Sequence, residues 1–189
     1  MGTSQGSDKL IEVEVKSKVK EFESIKKRLK ELKIDKISEE IQEDIYLERY
    51  DIEFAKNDKA FRIRKITKKN GNSTVITYKG PKIDEISKTR EEIEIAVEDG
   101  DKILKIFERL GFYKGGFVKK TREIYKFDEF IISLDDVEGL DPYIEIEVDL
   151  EDDLNYQESI AQIYEIFNKL NISSGFERTS YLELLQLKK

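Results

Sequence analysis

Residues 10–16, Leu-Ile-Glu-Val-Glu-Val-Lys, alternate apolar and charged side chains with a period of two. That period belongs to an extended strand, so Ile11, Val13 and Val15 face one way and Glu12, Glu14 and Lys16 the other. The same grammar returns at Arg90–Val97 (REEIEIAV) and Tyr143–Val148 (YIEIEV). Each of these strands is followed by an amphipathic helix. The first spans 18–33, with Phe22, Ile25, Leu29 and Leu32 at helical spacing. The second spans 100–110 and stops at Gly111. The third spans 152–170, with Ile160, Ile163, Ile166, Phe167 and Leu170 as its buried side.

Hairpins rich in Lys and Arg precede the last two of these strands. Ala60–Lys65 (AFRIRK) turns through Lys68–Asn72 into Ser73–Lys79 (STVITYK), and Asn70-Gly71 is a strong hairpin signal. Phe117–Phe127 pairs with Phe130–Leu134. Ile41–Leu47 reads as one more strand, Glu53–Asp58 as a loop, Gly115-Gly116 and Gly139–Pro142 as turns, and Ser180–Leu187 as a short last helix. The recurrence points to two related halves, each a run of antiparallel strands and a helix.

The chain has 189 residues, 38% of them hydrophobic and 40% charged. This is enough apolar material for one real core and argues against disorder. Residues 1–7 (MGTSQGS) read as a flexible leader or cloning remnant, and residues 8–189 as a single domain. The formal net charge of -7 argues against general duplex-DNA binding, which draws on counterion release by Lys and Arg. With no Cys and no His, disulfides, zinc-thiolate sites, thiol nucleophiles and imidazole proton shuttles are excluded. No apolar run approaches the roughly 20 residues of a membrane-spanning helix, and no secretory signal is visible, so a cytoplasmic location is expected.

The charged faces set this sequence apart. Strand after strand carries Glu12, Glu14, Lys16; Arg62, Arg64; Lys79; Arg90, Glu92, Glu94; Lys120, Arg122; Asp135; Glu145, Glu147, which is seven acids and seven bases. Thr and Ser are nearly absent from these faces. One such face is ordinary solvated sheet. The series as a whole fits a closed barrel whose charged faces line a lumen and whose apolar faces are covered outside by helices. Buried charges are costly unless paired or occupied by ligand. A polyanion with divalent cations meets that requirement: Arg and Lys grip phosphate oxygens, while Glu and Asp hold Mg²⁺ or Mn²⁺.

At these residues the sequence resembles the CYTH superfamily, named for class IV adenylyl cyclase and thiamine triphosphatase and also called triphosphate tunnel metalloenzymes. The match opens with ExExK at Glu12–Lys16. It continues in order through Gln42, Asp44 and Tyr46; Arg62-Ile63-Arg64; Thr77–Pro81; Arg90, Glu92 and Glu94; Lys120-Thr121-Arg122; Leu134–Leu140; Glu145-Ile146-Glu147; and Ser180–Leu185. The resemblance implies an eight-stranded antiparallel tunnel, an α+β fold with flanking helices. It implies that Glu12, Glu14, Asp135, Glu145 and Glu147 serve metal. It implies that Lys16, Arg62, Arg64, Lys79, Arg90, Lys120 and Arg122 bind triphosphate, with Glu12, Glu14, Lys16 and Glu147 in the catalytic set.

The activity expected is divalent-metal-dependent hydrolysis of an inorganic or organic triphosphate. An adenylyl cyclase is the alternative, and a polyphosphate-binding module without turnover is a third. Two departures weigh against the cyclase: Asp8–Ile11 replaces the His-Phe-x-Gly often found before ExExK, and Leu140–Tyr143 replaces Leu-Gly-x-Phe. The partner expected is a small triphosphate, not nucleic acid or membrane, and a homodimer is compatible with it. Tyr46 reads equally as a lumen or a core residue, and Tyr181 reads as packing the last helix. Asp136 points away from Asp135.

Overall fold

The computed structural model describes residues 10–151 and 156–188. Eight strands form the body: β1 (Leu10–Lys18), β2 (Lys36–Arg49), β3 (Ala60–Lys68), β4 (Gly71–Lys79), β5 (Arg90–Val97), β6 (Phe112–Phe127), β7 (Phe130–Val137) and β8 (Tyr143–Leu150). A two-residue β9 (Phe176–Glu177) adds to β1. The helices are α1 (Glu23–Glu31), α2 (Gly100–Arg109), α3 (Tyr156–Lys169) and α4 (Tyr181–Leu187).

The strand order closes on itself. β3–β4–β5 is one antiparallel meander and β6–β7–β8 another. β2 joins their first strands, β3 and β6, while β1 joins their last, β5 and β8. The result is a closed eight-stranded antiparallel barrel made of two matching halves, each meander followed by its helix.

Because side chains alternate, closure sends one face of every strand inward. The apolar faces point out and form the main core there. Val13 and Val15 of β1, Ile132 and Leu134 of β7, and Ile144 and Ile146 of β8 pack against Ile25 and Leu29 of α1 and Ile163 and Phe167 of α3. A second core sets Leu104 of α2 on Leu47 and Ile63, with Phe61, Phe107 and Phe112 around it. A third lies inside one end of the barrel. There α4 packs Tyr181, Leu182 and Leu185 onto Val118, Val137 and Tyr143.

Four readings of the sequence need correction. The helical jacket is incomplete: Ile93 and Ile95 on the outer face of β5 remain 44% and 61% exposed, because the helices cover other sectors of the wall. Gly115 and Gly116 are not a turn but lie within β6, at a register shift where Tyr46 pairs with Gly116 and Leu47 with Lys114. Such a bulge tolerates glycine, and here it demands it: a Cβ at Gly115 would meet the Glu48 side chain, and one at Gly116 would meet Leu182 of α4. The first helix begins at Glu23 rather than at residue 18. Ser17 and Lys18 prolong the strand, and the Glu21 carboxylate accepts from the amides of Glu23 and Ser24. The strands of β2 and β6 extend beyond 41–47 and 117–127, since each ladders along the other. The start of the third helix, 152–155, and with it the acidic run of Asp152 and Asp153, lies outside the described residues.

If the core lies outside the barrel wall, Ile146→Ala should destabilise the protein by about 2–5 kcal/mol, because it opens a cavity between β8 and the covering helices. Ile95→Ala should stay within about 0.5 kcal/mol of wild type. Urea unfolding of the two variants distinguishes this arrangement from a barrel with an apolar interior.

Candidate functional site

The inward faces enclose a cavity of about 610 Å³. Its walls divide by charge. One side is a web of ion pairs around two aspartates. Asp44 of β2 accepts a two-pronged contact from Arg64 of β3 at 2.6 and 2.7 Å, with Arg62 at 3.5 Å. Asp135 of β7 accepts from Arg122 at 2.6 and 2.7 Å, from Lys120 at 2.8 Å and from the Tyr181 hydroxyl at 2.8 Å. Arg122 also donates to Glu145. Burial pushes the Asp44, Asp135 and Glu145 carboxyls up, but the adjacent cations outweigh it and hold all three below the usual carboxylate range. Burial, reinforced by Arg122, brings the Lys120 ammonium down to about 8.

The other side is acidic. Oxygens of Glu12, Glu14 and Glu147 all lie within 4.8 Å of one another. Glu14 and Glu147 are direct cross-strand partners, an arrangement that like charges destabilise. Three devices compensate. Lys79 of β4 pairs with Glu12 and, at 2.6 Å, with Glu92. Lys88 pairs with Glu14. Glu147 is left to its proton: burial first, then Glu12, Glu14 and Glu145, push its carboxyl up to about 8 against the pull of Arg122.

Between the two sides, Arg62 and Arg90 line the cavity, and the Nε of each is buried with no hydrogen-bond partner among the described residues. An unpaired buried donor is expensive, and a ligand with several acceptor oxygens would satisfy both. The carboxylate cluster is a hard, all-oxygen donor set of the kind that suits Mg²⁺ or Mn²⁺.

Most of the expected residues meet here. Arg62, Arg64, Lys79, Arg90, Lys120 and Arg122 line the cavity, as do Glu12, Glu14, Glu145 and Glu147. Two stand apart. Asp135 is fully buried behind Lys120 and Arg122. Lys16 is fully buried, donates to the carbonyl of Thr179, and sits 4.2 Å from the Tyr181 ring centre and 5.2 Å from that of Tyr143. Burial, helped by Lys88, brings its ammonium down to about 7. Tyr181 is more than helix packing, since its hydroxyl joins the Asp135 web and its ring underlies Lys16 and Lys120. Tyr46 lines the cavity, and Asp136 is exposed.

Two residues enter the site without having been singled out. Asp44 sits in a quoted motif, but its pairing with Arg64 emerges only from the β2–β3 register. Lys88 lies in the irregular stretch 80–89; counting back in twos from Glu94, Glu92 and Arg90 would have found it.

A closed barrel with opposed acidic and basic walls defines the class as a charge-lined tunnel protein. The CYTH domain model matches residues 10–181, and the chain belongs to that family. It is 44% identical over 176 residues to “Putative adenylate cyclase MJ0240” of Methanocaldococcus jannaschii, covering 93% of this chain and 98% of that one. The PH1819 protein of Pyrococcus horikoshii superposes with a TM-score of 0.87 at 41% identity, over 94% of this chain and 99% of that one. The Hippeastrum protein HpAC1, described as having a dominant triphosphatase activity, shares the fold with a TM-score of 0.69 at 16% identity, over 95% and 96% of the two chains. Among the described residues no helix is long and apolar enough to cross a membrane.

The folded protein holds the Glu147 proton to about pH 8, against an ordinary value of 4.5. This contribution to stability is therefore full below the ordinary value and is lost as pH rises through about 8. The slope is at most about 1.4 kcal/mol per pH unit. Urea denaturation between about pH 5 and 6.5, below the region where Lys16 and Lys120 add the opposite slope, should show the decline, and Glu147→Gln should flatten it. An unchanged pH profile in that variant would show that Glu147 is not the group responsible.

Proposed function

We propose that this CYTH protein is a divalent-cation-dependent phosphohydrolase acting on triphosphates drawn into the tunnel. The observation that carries the reading is the pairing, across one cavity, of an acidic trio with two orphaned guanidinium donors. A bare anion site would not need Glu12, Glu14 and Glu147 together, and a bare cation site would not need Arg62 and Arg90.

The chain's own groups divide the work. Glu12, Glu14 and Glu147 would hold Mg²⁺ or Mn²⁺, which would neutralise phosphate charge and orient the reacting oxygens. Arg62 and Arg90 would bind phosphate oxygens through the donors left free, while Lys120, Arg122 and Arg64 add positive charge from fixed positions. Asp44, Asp135 and Glu145 keep that basic wall from repelling itself apart. Water attack at the terminal phosphorus would break its bond to the bridging oxygen and release orthophosphate. With no His in the chain, the water's proton would pass to a carboxylate, a neutral lysine, a phosphate oxygen or solvent in the cavity. The name of the M. jannaschii relative favours the second reading, in which a ribose hydroxyl attacks the α-phosphorus and cyclic AMP and pyrophosphate leave. The Hippeastrum description favours hydrolysis.

Incubation with Mg²⁺ or Mn²⁺ and, separately, inorganic triphosphate, ATP and thiamine triphosphate should release orthophosphate, and chelation should stop it. Cyclic AMP with pyrophosphate from ATP would install the cyclase reading instead. Arg62→Ala should lower turnover by about 100-fold or more, the usual loss on removing one preorganised donor to developing charge. Binding of triphosphate with no product under any of these conditions would reduce the protein to a binding module.

A further inference from the structure

The barrel wall has a gap beside β1. β5 pairs with β1 only at Leu10, Ile11 and Glu12, and β9 takes up the same edge at Lys16 and Ser17. Between them, the chain segment 80–89 closes the edge, and the amide of Lys88 donates to the Glu14 carbonyl at 2.9 Å. The segment is braced from outside. Asp84 accepts from the amides of Ile86 and Ser87, and Arg178 donates to the carbonyls of Asp84 and Ser87. The Lys88 side chain reaches through this gap to Glu14, with Glu145 at 3.6 Å, and is 5% exposed.

Its situation differs from that of Arg122 and Lys79. Arg122 is forked between Asp135 and Glu145, and Lys79 holds Glu92 as well as Glu12. Lys88 has one close partner, Glu14. Its second, Glu145, is already engaged by Arg122. Lys88 is also a compact charge on a four-carbon stem, anchored at its backbone and lining the cavity. A dication on Glu12, Glu14 and Glu147 and an ammonium on the same Glu14 repel each other at short range.

We propose that Lys88 is a further binding residue of the site: its ammonium shares Glu14 with the divalent cation and swings to a polyphosphate oxygen when the cation takes that carboxylate. This rests on the reading of the site given above and adds a coupling to it. Cation binding frees a positive charge for the phosphate chain, and Lys88 is the carrier. A purely structural Lys88 would only hold the segment and Glu14 in place.

Competition for Glu14 and movement of the ammonium are read separately. Mn²⁺ binding, read by electron paramagnetic resonance, should be about tenfold tighter in Lys88→Met than in wild type, because a competitor is gone. Unchanged or weaker binding in that variant overturns the proposal. Should Lys88→Met fail to fold, the wild-type protein decides by acetylation with mass spectrometry. Lys88 should be unreactive alone, reactive with Mg²⁺, and protected again when a methylene-bridged diphosphate is added. A Lys88 that stays unreactive with saturating Mg²⁺ overturns the proposal. Wild-type protein that binds no Mn²⁺ at all would overturn the underlying reading of the site, and the proposal with it.

Discussion

Charge buried inside a closed wall must be matched, and the rest of this structure follows from that requirement. An ion moved out of water loses several kcal/mol of solvation that only close partners return. Asp44 and Asp135 therefore each sit under two or more cations, and Glu145 joins the second of these groups. With most of the lumen given over to these pairs, the main apolar core forms outside the wall, and a smaller cluster sits under α4 at one end of the lumen. Helices α1, α2 and α3 exist in this fold as the partners of that outer surface.

The pairing is closer to complete around Asp44 and Asp135 than around the acidic trio. Asp135 has every neighbour it needs and no path to the cavity. Among the described residues Glu147 has no cation of its own, and Arg62 and Arg90 each keep a donor without an acceptor. Well-satisfied networks hold shape; unsatisfied groups hold ligands.

Much of this was legible in the sequence because a strand has the simplest periodicity. Alternation at 12–16, 62–64, 90–94, 120–122 and 145–147 assigns faces, and a closed barrel turns faces into a lumen. Alternation says nothing about depth. Lys16 shares the face of Glu12 and Glu14, yet α4 fills that end of the barrel and captures its ammonium against Thr179 and Tyr181. The role of Tyr181 was illegible for the same reason, since it depends on where a terminal helix docks. Lys88 was hidden by irregular backbone around it, although its parity with Arg90 was in plain sight. Gly115 and Gly116 carry the general signal for a break, and only the neighbouring Glu48 and Leu182 reveal that they serve a close approach instead.

Wall polarity has a last consequence. Apolar outside and charged inside is the lateral pattern of barrels that span lipid bilayers. What distinguishes this chain is that helices occupy the positions that acyl chains would take around such a barrel. The bare isoleucines on β5 show what the whole circumference would present if those helices were peeled away. In this architecture, the apolar outer wall is covered, where it is covered, by the segments between strands rather than by the strands themselves.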